Sequence, residues 1–341
     1  MRSYSESIDK KPKEMRQAVN ILFLGGAKRV AMARLFKKAA VSLGLDPVIF
    51  SYELSDEVPI AEEASVIKGL RWSDPELMRH LHEVVEENRI DIIVPFVDPA
   101  VGVAARFCRN NPEVFAPCAA PEFAETMFDK ALADKLFRQS GIQLPPEADG
   151  SDEVICKPRC GSASKGILVV PADTYRQMAG DNAVADKYIF QGYVADRDEY
   201  SVDCYVNLNG SFVCAIPRKR LEVSGGEVTS TITVHSPQLV SLSHEVLTKL
   251  GVRGAATLQF LRDRSCEGAP YMLMEVNPRL GGGAVCSVHA GADIPVYILS
   301  DWLGKPAKEC QSWRENLKIC RYPAEVVFDN GHLLSLSLIH I

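Results

Sequence analysis

Hydrophobic and polar positions follow two different rhythms along the chain. Up to about residue 116, short apolar runs alternate with amphipathic stretches. Residues 20–24, N-I-L-F-L, form an unbroken apolar run ending in Gly25-Gly26, and a helical pattern follows over 29–43. A second strand reads at 47–51, and Asp74-Pro75 is placed to cap a helix over 76–88. D-I-I-V-P-F-V at 91–97 is another buried strand, closed by Asp98-Pro99 and followed by a helix to about residue 109. Residues 114–116 make a short further strand. Continuous apolar strands alternating with helices predict a doubly wound parallel α/β sheet, which gathers ligands at the carboxyl ends of its strands.

Beyond residue 120 the pattern changes to period two. A helix over 129–139 ends at Gly141, and L-P-P-E-A-D-G-S-D (144–152) is a loop. Alternating strands follow at 154–157, 167–170, 200–206 and 211–217, then at 256–261 and 271–276, with a helix at 237–250 between the two groups. This is an α+β unit rich in antiparallel pairs. A final strand is expected at 322–328, and no internal repeat is present.

Composition narrows the class. Hydrophobic residues at 47% and charged residues at 24% are ordinary globular values. A net charge of −6 gives no electrostatic footprint for nucleic acid. No apolar run is long enough to span a membrane. The first eighteen residues lack the apolar centre of a secretory signal and read as a polar extension, with Met15 as an alternative start. Ten cysteines, with no C-x-x-C pair, read as reduced and buried thiols of a cytoplasmic protein, Cys204, Cys214, Cys286 and Cys320 among them. Cys156 and Cys160 form a close pair, but no second Cys or His pair lies nearby to complete a zinc site.

The chemistry-bearing segments are few. In C-K-P-R-C-G-S-A-S-K-G (156–166), Gly161 and Gly166 have Walker spacing, but Ile167 stands where lysine must follow and the chain enters a strand. What remains is strand, small-residue turn and strand, with Lys157 on the incoming strand and the Gly161, Ser162, Ser164 and Gly166 turn able to close over phosphates. An unspecialised hairpin has the same composition. In M-E-V-N-P-R-L-G-G-G (274–283), residues two apart share a strand face, so Glu275 and Asn277 offer hard oxygen ligands for Mg²⁺. Gln259 lies on a strand suited to pair with this one, and Arg279 is placed to brace a transferring phosphoryl group. Gln191-Gly192-Tyr193 reads as a hinge holding adenine through its backbone, with Glu199 accepting from ribose. The cations of P-R-K-R (217–220) make Arg218 and Arg220 candidate anchors for a carboxylate or acyl phosphate. In G-G-A-K-R-V (25–30), Lys28 and Arg29 are either surface cations of a tight turn or a grip on an anionic substrate. The seven histidines fall outside these segments; His289, the nearest, reads as a packing residue.

Taken in order, D-K at 129–130, the 157–166 loop, Q-G-Y at 191–193, E-Y-S-V-D at 199–203, Gln259 and M-E-V-N-P-R-L-G-G-G resemble the ATP-grasp superfamily. The nearest resemblance is to stand-alone carboxylate–amine ligases similar to the ATP-binding domains of the carbamoyl-phosphate synthase large subunit. It spans about residues 19–328. The resemblance implies a polar extension (1–18), a pre-ATP-grasp α/β domain (19–120), a two-lobed ATP-grasp domain (121–330, a lid-bearing lobe to 190 and a second lobe from 191) and a tail (331–341). It implies that Lys130 and Lys157 contact ATP phosphates under the 161–166 loop, with Gln191 to Tyr193 on adenine and Glu199 on ribose. Gln259, Glu275 and Asn277 would ligate one or two Mg²⁺ (or Mn²⁺), and Arg279, helped by Lys157, would stabilise the acyl-phosphate transition state. The implied substrates are a small-molecule carboxylate and an amine, with neither nucleic acid nor membrane as partner, and a homodimer is compatible. The alternatives are phosphorylation of bicarbonate or carbamate, and an ATP-binding module without turnover. The short gap between Pro146 and Cys156 departs from the pattern, as does the G-G-A-K-R-V turn.

Overall fold

The computed structural model describes residues 17–161 and 165–334; Ser162, Ser164, most of the N-terminal extension and the tail beyond Leu334 lie outside the described residues. The chain begins β1 (Gln17–Leu24), α1 (Val30–Ser42), β2 (Leu45–Glu53), β3 (Ser65–Lys68), α2 (Leu77–Asn88), β4 (Ile92–Pro95) and α3 (Asp98–Asn110). These four strands form one parallel sheet in the order β3-β2-β1-β4. β1 and β4 are buried on both faces, as their continuous apolar runs require. β3 escaped the sequence pattern because its S-V-I-K has only two apolar positions. The expected strand at 114–116 reduces to a single bridge between Phe115 and Ile92. Asp74 does not cap α2: it accepts from the Glu76 N–H in a turn ahead of the helix. Strand order reverses between β1 and β4, and their carboxyl ends present Gly25 to Arg29 and Val97-Asp98 to the same crevice.

Next come α4 (Pro121–Phe128), α5 (Lys130–Gln139), β5 (Glu153–Pro158), β6 (Leu168–Pro171), α6 (Ala172–Gly180), α7 (Asn182–Ala185) and β7 (Tyr188–Gly192). Their three strands form a small sheet, β6-β5-β7, with antiparallel pairs. The chain continues through β8 (Arg197–Val206), β9 (Phe212–Ser224), β10 (Glu227–Thr233), α8 (Pro237–Lys249), β11 (Gly254–Asp263), β12 (Met272–Asn277), α9 (Val285–Ala290), α10 (Ile294–Trp302) and β13 (Lys318–Cys320). Its large sheet has the order β12-β11-β8-β9-β10-β13, antiparallel throughout. A last hairpin joins β14 (Val327–Asp329) to β15 (His332–Leu334). The expected strand at 322–328 thus shrinks to its final residues; Tyr322 is 82% exposed and packs on nothing that would hold a strand.

Alternation along the large sheet sorts its two faces. Val202, Cys204, Val206, Leu258, Phe260 and Val276 point into a core closed by α5 and α8. On the other face Tyr205, Val213, Ile216 and Ala255 join β1, α1 and α10 in a second core, so the parallel and antiparallel sheets share one apolar seam. The same face carries a polar stripe, because the register sets Ser201 opposite Gln259 and Arg218, Asp203 opposite Thr257, and Gln259 opposite Glu275. All ten cysteines are free thiols. Six depart from the expected burial: Cys160, Cys266 and Cys320 are exposed, and Cys108, Cys118 and Cys310 are partly so. Among the described residues no helix is long and apolar enough to cross a membrane.

Candidate active site

The polar stripe forms one wall of a cleft of about 570 Å³, lined also by α5, the small sheet and the crevice of the parallel sheet. Every sequence-derived candidate in the described residues lines it except Lys28 and Gly166. At one end, the Asp129 side chain caps α5 and pairs with Arg159 at 2.6 Å. This fixes the helix start to the β5–β6 loop, and Lys130 Nζ donates to the Gly161 carbonyl at 2.8 Å. Lys157, on β5, donates to Gln191 Oε1 at 2.8 Å, and Gln191 Nε2 donates on to Asp134 at 3.0 Å. Burial pushes the Lys157 ammonium below its ordinary pKa, Glu275 opposes that shift and Lys130 adds to it.

The hinge differs from expectation in detail. The N–H groups of Gly192 and Tyr193 are already given to the Pro146 and Glu153 carbonyls, at 2.8 and 2.9 Å. They are not free donors for a base, and the Gln191 side chain is held in the Lys157–Asp134 chain. Gly192 has to be glycine, since a Cβ there would lie 2.4 Å from Ser151 Oγ and 3.0 Å from the Glu147 carbonyl. Glu199 is shared between Arg197 at 2.9 Å and Arg220 at 3.5 Å, so a ribose hydroxyl would meet a carboxylate already held by cations.

At the centre, Glu275 Oε1 accepts from both Gln259 Nε2 at 2.8 Å and Asn277 Nδ2 at 2.7 Å. The three residues thus converge as neighbours on paired strands. They supply one carboxylate, and no group of three His, Cys, Asp or Glu able to hold a metal occurs among the described residues. Arg279 donates from Nε to Asp98 Oδ1 at 2.6 Å, a contact from the first turn of α3 that the sequence did not signal.

The basic residues divide into two kinds. Arg218 is corrected as a substrate anchor: its side chain is 1% exposed, and Nε and Nη2 grip Asp203 at 2.6 and 3.0 Å. Asp203 also accepts from Thr257 and Ser287, closing a buried network across β8, β9, β11 and α9. Arg218, Arg220 and Arg29 all line the cleft, but the last two keep an unsatisfied donor there. Arg220 Nε and Arg29 Nη1 are buried side-chain atoms without a hydrogen-bond partner. Burial lowers the pKa of both; Glu227 resists this at Arg29 while Arg279 and Arg321 add to it, and Glu199 resists it at Arg220. Arg29 is thus no surface cation: Nη2 reaches Glu227 at 3.3 Å, and Glu227 also pairs with Arg321 at 3.0 Å. Gly282 and Gly283 let Arg29 and Arg218 approach the chain, and Gly281 does the same for Thr257. A Cβ on Gly281 would lie 2.9 Å from Thr257 Oγ1, on Gly282 3.0 Å from Arg29 Nη1, and on Gly283 2.5 Å from Arg218 Nη1. His289 is exposed at the end of α9 and packs nothing, contrary to its expected role.

Comparison with known proteins follows the same geometry. Residues 188–323 match the family described as ATP-grasp in the biosynthetic pathway with Ter operon. No curated protein sequence matches the chain. Among solved structures, the chain is similar to the biotin carboxylase domain of Hydrogenobacter thermophilus 2-oxoglutarate carboxylase, in complex with MgADP, ADP and bicarbonate. The TM-score there is 0.66 at 16% identity, over 88% of this chain and 73% of that one. It is similar to Campylobacter jejuni biotin carboxylase in a β,γ-ATP complex, with a TM-score of 0.68 at 17% identity, over 88% and 74% of the two chains. It is similar again to Staphylococcus aureus N5-carboxyaminoimidazole synthetase complexed with ADP, with a TM-score of 0.66 at 14% identity, over 86% and 80%. Residues 188–323 thus resemble an ATP-grasp family, and the whole chain shares the fold of these solved structures, a parallel-sheet domain followed by antiparallel sheets around one cleft.

Proposed function

We propose that the chain is an ATP- and Mg²⁺-dependent ligase that activates a small-molecule carboxylate as an acyl phosphate for attack by an amine. The observation that carries this reading is the meeting of two lysines, an oxygen-ligand trio and Arg279 on one cleft. A carboxylate oxygen of the substrate attacks the γ-phosphorus of ATP, and the bond to the departing ADP breaks. The amine nitrogen then attacks the acyl carbon, inorganic phosphate leaves, and the ammonium proton passes to solvent. Lys130 and Lys157 neutralise phosphate charge, and Arg279, held by Asp98, faces the charge that develops on the transferred group. Gln191, Gly192, Tyr193 and Glu199 line the end of the cleft assigned to the nucleotide. Glu275, Gln259 and Asn277 fit Mg²⁺ as hard oxygen donors; the ion would screen the phosphates, and with a single carboxylate most of its ligands come from the nucleotide.

A second reading is bicarbonate in place of an organic carboxylate, favoured by the presence of bicarbonate together with MgADP and ADP in the Hydrogenobacter thermophilus structure. Phosphate release from ATP, screened over carboxylate–amine pairs and bicarbonate, tests both. Glu275→Ala is expected to lower the stimulated rate at least 100-fold. If ATP binds while neither any pair nor bicarbonate stimulates release, the chain is a nucleotide-binding module and the ligase reading fails.

A further inference from the structure

A second cavity of about 390 Å³ lies at the carboxyl edge of the parallel sheet, and Arg29, Val97 and Glu227 line both it and the nucleotide cleft. Its remaining wall is chiefly apolar and aromatic: Trp72, Tyr52, Leu54, Val58 and Leu70. None of these residues carries a motif, and nothing in the ligase reading uses them. Tyr52 is oriented by two contacts, its hydroxyl meeting His80 Nδ1 at 2.8 Å and accepting from the Leu70 N–H at 2.9 Å. Glu53 also lines the cavity, but its carboxylate accepts from Ser51 Oγ at 2.7 Å and from the backbone of Gly26 and Ala27. It therefore holds the turn that carries Arg29 and is not a free charge for a ligand.

Exposed Lys28 also lines the cavity, and the remaining charges, Arg29 and Glu227, sit at its neck. Arg29 presents a buried, unpartnered Nη1 against Gly282, three residues beyond Arg279. Glu227 stands beside it, part-exposed and shared with Arg321. A cation with a vacant donor and an adjoining carboxylate complement a carboxylate and an ammonium one carbon apart. The space behind them, of small-molecule size, takes an apolar side chain.

We propose that this cavity binds the amine substrate, and that the substrate is an α-amino acid with a large apolar or aromatic side chain. The side chain lies between Trp72 and Leu54, the α-carboxylate on Arg29, and the α-amine beside Glu227 at the neck, facing the cleft where the acyl group is activated. The inference rests on the ligase reading for the use made of the amine, but binding can be measured without turnover.

The test is calorimetric titration of the full chain with L-phenylalanine, L-leucine, glycine, 3-phenylpropionate and phenethylamine, each with and without a non-hydrolysable MgATP analogue. L-Phenylalanine or L-leucine is expected to bind at least 10-fold more tightly than glycine and than either single-charge analogue. Trp72→Ala and Leu54→Glu should each weaken that binding at least 10-fold while affinity for the ATP analogue stays unchanged. Leu54 is 58% exposed, so its variant keeps the fold if Trp72→Ala does not. Equal binding of glycine, equal binding of 3-phenylpropionate or phenethylamine, no saturable binding of any amino acid, or no effect of Leu54→Glu overturns the proposal. Amino-acid binding with these preferences but no phosphate release in the ligation screen would sink the ligase reading and leave the cavity's ligand standing.

Discussion

Lys157 is under opposed influences whose balance can be read in solution. Burial favours its neutral form more than Glu275 favours its charge, so its pKa lies below the ordinary 10.5. Phosphate oxygens bind the ammonium and not the amine. As pH rises through the lowered pKa, the free site loses its cation, and affinity for MgATP falls in a window below that of an ordinary lysine. Titration of the nucleotide across pH should show this fall, and Lys157→Arg, which keeps its charge, should flatten it. Lys157→Met should weaken binding by about 10-fold or more at neutral pH, in line with loss of charge-assisted hydrogen bonds. That Lys157 would face a cleft was legible from its place before a glycine-bounded turn. Its tether to Gln191 was not, because the two are 34 positions apart and no local period relates them.

At the scale of elements, strand alternation did most of the work. Glu275 and Asn277 could be placed on one face from spacing alone, and the pairing of their strand with that of Gln259 followed from the hairpin-like order. Alternation does not say which cation on a strand is buried. Arg218 and Arg220 lie on the same face of β9 and both line the cleft, yet Arg218 is spent on Asp203 while Arg220 Nε has no hydrogen-bond partner. Arg218→Ala would leave a buried, unpaired carboxylate and should cost roughly 3–5 kcal/mol in denaturant unfolding. Arg220→Ala should shift unfolding by about 1 kcal/mol or less while lowering turnover. Equal losses of stability would contradict this division. Three consecutive glycines were visible as a loop signal; that each makes room for a particular side chain needed the packed neighbours.

Across the whole molecule, the contact that most changes the picture is Asp98 to Arg279, 181 residues apart in sequence. It ties the switch point of the parallel sheet to the loop that leaves β12, so the first sheet takes part in aiming Arg279, the cation proposed to face the transferred group. Asp98→Ala is expected to lower kcat on the order of 10- to 100-fold through a mispositioned guanidinium, with nucleotide affinity unchanged. A fall in nucleotide affinity without a fall in kcat would show that Asp98 does not position Arg279. Sequence alone determined the two rhythms, most of the strands and helices that follow from them, and the residue types that line the cleft, because apolar period and motif spacing are local properties of a chain. Tertiary structure alone decided which cations stay free, which backbone donors are spent, and that Trp72 and Arg29 share an opening with the cleft. Those are properties of desolvation and approach between residues far apart in the chain, and they exist only once the two sheets close on their common core.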